Sequence, residues 1–146
     1  MLDSMHNNKS LLIMKICVIT PVYWLSGVAL AQVRFARALA VAGHQVDLIV
    51  GRVYEEYTMP EIKNVSVTVL DKSRVIYMLP SVVYYLKRDR PEIVFSAEDH
   101  LNGIVLLAAI ISKSKAKISC SSRVTPFDTY SDVPFTKRWI LNNSCD

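Results

Sequence analysis

KICVITPVYWLSGVALAQVRFARALAVAGHQVDLIV, residues 15–50, decides the fold class. Residues 16–20 form a short, β-branched apolar run that Pro21 is expected to close. Residues 28–42 are alanine-rich, with Gln32, Arg34 and Arg37 as the polar positions, and read as a largely buried helix. Gly43 follows, the residue type that ends a helix in a left-handed conformation, with His44 as a capping neighbour. Residues 45–50 are again short and nearly continuous in apolar side chains. Two such strands joined by a helix pair in parallel, because the crossover returns the chain to the same end of the sheet.

The same alternation continues outward. Residues 65–70 alternate with period two and predict a third strand. Pro80 opens a helix that runs to Arg88, and Pro91 follows its end. Residues 93–96 predict a fourth strand, 101–112 a buried helix and 117–120 the start of a fifth strand. Strands separated by helical crossovers imply an α/β fold with a doubly wound, mostly parallel, Rossmann-like sheet. Residues 1–10 are polar and patternless. Met14 reads as a natural start, with 1–13 an upstream disordered extension and 14–146 one domain. Residues 135–141 resemble the opening of a helix with no strand after it, so the chain is expected to be truncated at its C-terminus.

Bulk composition narrows the class. A chain of 146 residues, 51% apolar and 21% charged, is globular and long enough for a core. Its formal charge of +4 favours anionic partners. The basic residues are scattered apart from runs at 87–90 and 113–117, each at an expected helix end, which argues against nucleic acid. Three cysteines without ligand spacing support neither a disulfide framework nor a zinc site. Cys17 and Cys120 are expected to be buried thiols, in a cytoplasmic setting. The run 101–111 is too short to span a bilayer, which leaves a peripheral membrane contact open.

Ligands of a doubly wound sheet bind beyond the carboxyl ends of its strands. That selects residues 21–27, 51–56, 97–100 and 121–132. Neither the dinucleotide fingerprint nor the P-loop occurs in the first of these. Gly27 reads two ways: a plain strand-to-helix turn capped by Ser26, or a backbone approach to phosphate at a helix N-terminus. Tyr23 and Trp24 beside it read as packing or as a sugar-stacking surface. Glu98, Asp99 and His100 are the densest titratable cluster. A carboxylate beside an imidazole can act as a general base, and Asp99 can equally be a helix cap. In the long loop after the fifth strand, Ser122 and Arg123 suit an anion, and Asp128 suits a base.

MKICVITP, SGVALAQVRFARALAVAGHQVDLIVG and YYLKRDRPEIVFSAEDHLNGIVLLAA, in that order, resemble the amino-terminal half of GT-B glycosyltransferases of the family 4 type. The resemblance covers about residues 14–141. It implies two Rossmann-like domains facing a cleft, a retaining transfer and no metal or other cofactor. The sugar would pass from a nucleotide-sugar co-substrate to a hydroxyl of a glycan or lipid-linked acceptor. The amino-terminal domain would bind the acceptor and a separate carboxyl-terminal domain the donor, so this chain alone is expected to be inactive. Carried onto this sequence, the resemblance puts Ser26 and Gly27 near the donor phosphates. It puts Glu98, Asp99, His100, Ser122, Arg123 and Asp128 around the acceptor, with His100 and Asp128 as catalytic candidates. Two departures stand out: Gly27 is followed by Val28 where the family often has paired glycines, and Ser121, Ser122 and Arg123 stand where many members have a histidine. A non-catalytic binding module on the same fold is the alternative from another class.

Overall fold

A computed structural model describes residues 12–122. Its elements run β1 (Lys15–Tyr23), α1 (Gly27–Val41), β2 (Gln45–Val53), β3 (Val65–Val69), α2 (Leu79–Asp89), β4 (Ile93–Ala97), α3 (Asp99–Ser112) and β5 (Lys117–Ser121). One turn of 3-10 helix, Val75–Met78, precedes α2. All four strand pairings are parallel and the order across the sheet is β3-β2-β1-β4-β5. The expected doubly wound α/β sheet is therefore present.

Two apolar layers cover its faces. On one, Ala29, Val33, Ala36 and Ala40 of α1 pack on Val18, Val46, Leu48 and Val50. Small alanines let α1 lie close, since a short side chain brings the helix axis near the sheet. On the other, Val82 and Leu86 of α2 with Leu101, Val105 and Ala108 of α3 pack on Cys17, Ile19, Ile49 and Val94. Near the amino ends of the strands a polar network ties α2 to the sheet. The Tyr85 hydroxyl donates to Asp47 Oδ2 at 2.6 Å, while Lys15 Nζ lies 3.1 Å from Asp89 Oδ1 and 3.7 Å from Asp47 Oδ2. Burial pushes the Cys17 thiol up, a hydrogen bond with Tyr85 partly opposing it.

Several expectations need correcting. Pro21 does not close β1, which runs on to Tyr23. The β4 ladder ends at Ser96, opposite Ile19, so that flank of β1 makes no demand for a proline N–H. The crossover from β2 to β3 contains no helix; residues 54–64 make it, and Ile62 seals the α1-side core. Neither α1 nor α3 is buried all round. Gln32, one of the three polar positions of α1, is buried, whereas Phe35 and Val41 are exposed, as are Leu106, Leu107, Ile110 and Ile111 of α3. Cys120 is exposed on the edge strand β5, not buried. Gly43 does end α1 with φ 95°, and Pro80 does sit in the first turn of α2. The His44 imidazole Nδ1 accepts from the Met14 N–H at 3.3 Å, which ties the start of β1 to the end of α1.

Candidate functional site

The strand order has one reversal. From β1 the chain winds outward through β2 to β3, then returns to place β4 and β5 on the other side of β1. Connections leave β1 and β4 toward opposite faces, α1 to one and α3 to the other. The crevice between the carboxyl ends of β1 and β4 is thus the topological switch point, where doubly wound sheets bind ligands. Two of the four segments selected from sequence, at Ser26–Gly27 and at Glu98–His100, leave those two strands.

On the β1 side, Ser26 is the N-cap of α1, in extended conformation, and its hydroxyl accepts from the Ala29 N–H at 3.5 Å. Gly27 is the first helical residue. A Cβ built on it would meet nothing within 4 Å, so packing does not require a glycine there. The close approach occurs instead at Gly51 in β2, where a Cβ would collide with the carbonyl oxygen of Pro21 and lie 2.7 Å from Met78 Sδ. Tyr23 is core. Trp24 is about half exposed and meets Tyr54 edge-on with ring centroids 5.9 Å apart; the Arg52 guanidinium stands 5.5 Å from the Tyr54 ring. Of the two aromatic residues, only Trp24 remains available to stack on a ligand.

On the β4 side, Glu98 is the unusual residue. Its backbone lies at φ 87°, ψ 129°, a region that a residue with a Cβ rarely occupies. Such a residue costs about 1–3 kcal/mol and is found where surrounding structure imposes it. Here its N–H donates to Ser121 O at 3.2 Å and its carbonyl accepts from Asn102 N–H at 2.9 Å, so both neighbours hold it. The Glu98 carboxylate lies 3.3 Å from His100 Nε2. Burial raises the Glu98 carboxyl above its ordinary range, with His100 pulling the other way. Asp99 is not the helix cap: Glu98 occupies that position without a side-chain bond, and Asp99 is an exposed first-turn residue. Its charge still favours the helix dipole.

Sequence reasoning missed the buried polar residues. Thr20, Gln32 and Ser96 are buried, and all three belong to the elements that bound the switch point, β1, α1 and β4. Thr20 Oγ1 donates to the Val22 carbonyl at 3.2 Å. Gln32 Oε1, Ser96 Oγ and Asn102 Oδ1 have no partner among the described residues. A buried oxygen left without any partner costs on the order of 1–3 kcal/mol, so these three mark positions where a further hydrogen bond is called for. An isolated Thr, Gln or Ser inside an apolar pattern is the only signal the sequence carries for them. Ser122 follows β5 as the last described residue and is exposed. Arg123 and Asp128 lie outside the described residues, as does Cys145.

Among the described residues no group of three or more His, Cys, Asp or Glu side chains could hold a metal ion, and no helix is long and apolar enough to cross a membrane. Compared with protein-family models and with curated proteins, the chain matches none.

Proposed function

We propose that this chain is the acceptor-binding side of a retaining, nucleotide-sugar-dependent glycosyltransferase of GT-B type. The observation that carries the reading is Glu98 at the switch point: strained, raised in pKa by burial and paired with His100. An acceptor hydroxyl placed beside that pair would donate a hydrogen bond to the carboxylate and be oriented by the imidazole. Trp24 at the rim would lie against a sugar ring, and the Gly27 end of α1 would face the donor phosphates. The sugar carries oxocarbenium-like charge in such a transfer and the diphosphate leaves as an anion. Stabilising both falls to a donor-binding domain, which in this reading acts with the chain.

The test is ligand mapping on the full chain by amide NMR, with a panel of glycosides and lipid-linked glycans and with NAD as comparator. Shifts at Ser26, Gly27, Glu98 and His100 with a glycan are expected, weakened by Trp24→Ala. Glu98→Gly is expected to raise stability by about 1 kcal/mol through relief of strain while weakening the glycan. Shifts at those loops with NAD alone would instead make the chain a nucleotide-dependent oxidoreductase. A chain that binds glycan but transfers no sugar when supplied with donor domains would be a binding module.

A further inference from the structure

The opposite pole of the molecule, at the amino ends of the strands, gathers most of the chain's unbalanced charge. Between the ends of α2 and α3 lies a groove of about 790 Å³ lined by Lys87, Arg90, Lys113, Lys115 and Lys117. Glu92 is its one carboxylate, and Glu92 Oε1 already accepts from the Lys15 N–H at 3.2 Å. Five cations against one carboxylate give the lining a formal +4, the same as the whole 146-residue chain. Everything else in the sequence is therefore neutral on balance. Among the described residues none of the five cations forms an ion pair.

Two of these cations occupy positions that helix geometry alone would not choose. Arg90 ends α2 at φ 47° and Lys113 ends α3 at φ 52°, both left-handed, where glycine or asparagine is the usual residue. A dipole effect favours cations in the last turn but gives no reason to place them on the strained residue itself.

The most exposed apolar side chains also lie at this pole. The four most exposed large apolar side chains of the described residues are Val41 (84%), Leu12 (74%), Ile110 (73%) and Ile13 (69%). Val41 is the last residue of α1, Ile110 lies in the last turn of α3, and Leu12 and Ile13 lead into the central strand β1. Singly, an exposed aliphatic residue means nothing. All four lie at the end of the sheet that carries the cationic groove, Val41 on the α1 face and Ile110 on the α3 face, so this end is basic and apolar together, the combination that binds at a lipid interface. All four are aliphatic, so none offers the ring on which a nucleic-acid base stacks.

We propose that this pole seats on an anionic phospholipid surface, with the lysines and Arg90 on headgroup phosphates and Val41, Ile110, Leu12 and Ile13 reaching the acyl boundary. The proposal rests on this pole alone and stands or falls independently of sugar transfer, whose loops lie at the other end of the sheet.

The experiment is cosedimentation of the full chain with vesicles of phosphatidylcholine alone and of phosphatidylcholine mixed with phosphatidylglycerol, at low and high salt. Binding to the mixed vesicles only, weakened by salt, is expected. The triple variant Lys113→Glu, Lys115→Glu, Lys117→Glu should bind them roughly a hundredfold more weakly. Val41→Ser with Ile110→Ser should lose at least about tenfold while keeping the salt dependence. Both variants change exposed, unpaired side chains, and circular dichroism checks that they fold. Equal binding to neutral vesicles, or an undiminished charge-reversal variant, overturns the proposal. So does tight binding of tripolyphosphate or of an oligonucleotide by a chain that ignores vesicles.

Discussion

Replacing Gly51 by alanine should destabilise the protein, whereas the same change at Gly27 should not. The new Cβ at Gly51 would overlap the Pro21 carbonyl oxygen, with the Pro21 carbonyl carbon at 3.1 Å and Met78 Sδ at 2.7 Å. Ordinary contacts lie at about 3.5–4.0 Å, so two neighbours must move. Met78 is flexible in principle but 1% exposed, which leaves it little room. Pro21 is backbone, held between the Thr20–Val50 and Val22–Arg52 pairings of the two strands. Overpacking of this kind costs about 1–3 kcal/mol, and rigid backbone on one side puts Gly51 at the upper end. Alanine returns about 0.4–1 kcal/mol by restricting the unfolded chain. The net loss is about 2 kcal/mol, a fall in Tm of roughly 8 °C for a fold of this size. Gly27→Ala meets open space and should be neutral or slightly stabilising. Thermal melts and urea denaturation with unchanged m read the difference. Equal stability of the two variants would refute the claim that Pro21 and Met78 leave no room for a side chain at Gly51.

Other perturbations probe the polar groups. Tyr85→Phe removes the hydroxyl that donates to Asp47 at 2.6 Å and should cost about 2 kcal/mol by urea denaturation, because the acceptor is a carboxylate. Glu98 has a raised folded-state pKa, chiefly from burial, so its ionisation works against folding. Stability from this group is full below the ordinary glutamate range and is lost as pH rises through the raised value. Glu98→Gln should therefore melt higher than the wild type at neutral pH, with the gap closing in acid. Asp89 behaves oppositely. Burial raises its pKa, but hydrogen bonds from Lys15 and Arg88 outweigh that and hold it below the usual range. Its contribution is present above the ordinary aspartate range and is lost as pH falls through the lowered value. Asp89→Asn should flatten the acid limb of the stability profile, as read by melts across that range.

Local chemistry made much of the fold legible in the sequence. The spacing of apolar residues distinguished strands from helices, because a side chain's direction follows from its position within one element. Gly43 and Pro80 marked helix ends because φ is a property of the residue itself. Parallel pairing followed from helices lying between most of the strands. Even the two candidate loops at Ser26 and Glu98 could be chosen, since ligand sites in such sheets lie after strands.

Tertiary structure alone decided the rest. Strand order, and with it the meeting of those two loops at one switch point, depends on which edge of β1 the chain joins on its return. Gly27 drew notice as the glycine beside a helix start, yet Gly51 is where backbone needs the space, because the contact is with Pro21 on another strand. Asp99 suits a cap by composition, but Glu98 stands there instead, its N–H donating to the Ser121 carbonyl and its own carbonyl accepting from the Asn102 N–H. The basic runs at 87–90 and 113–117 look like two ordinary helix ends when read along the chain. They form one groove only because α2 and α3 finish at the same end of the same face, a placement set by crossovers and not by local periodicity.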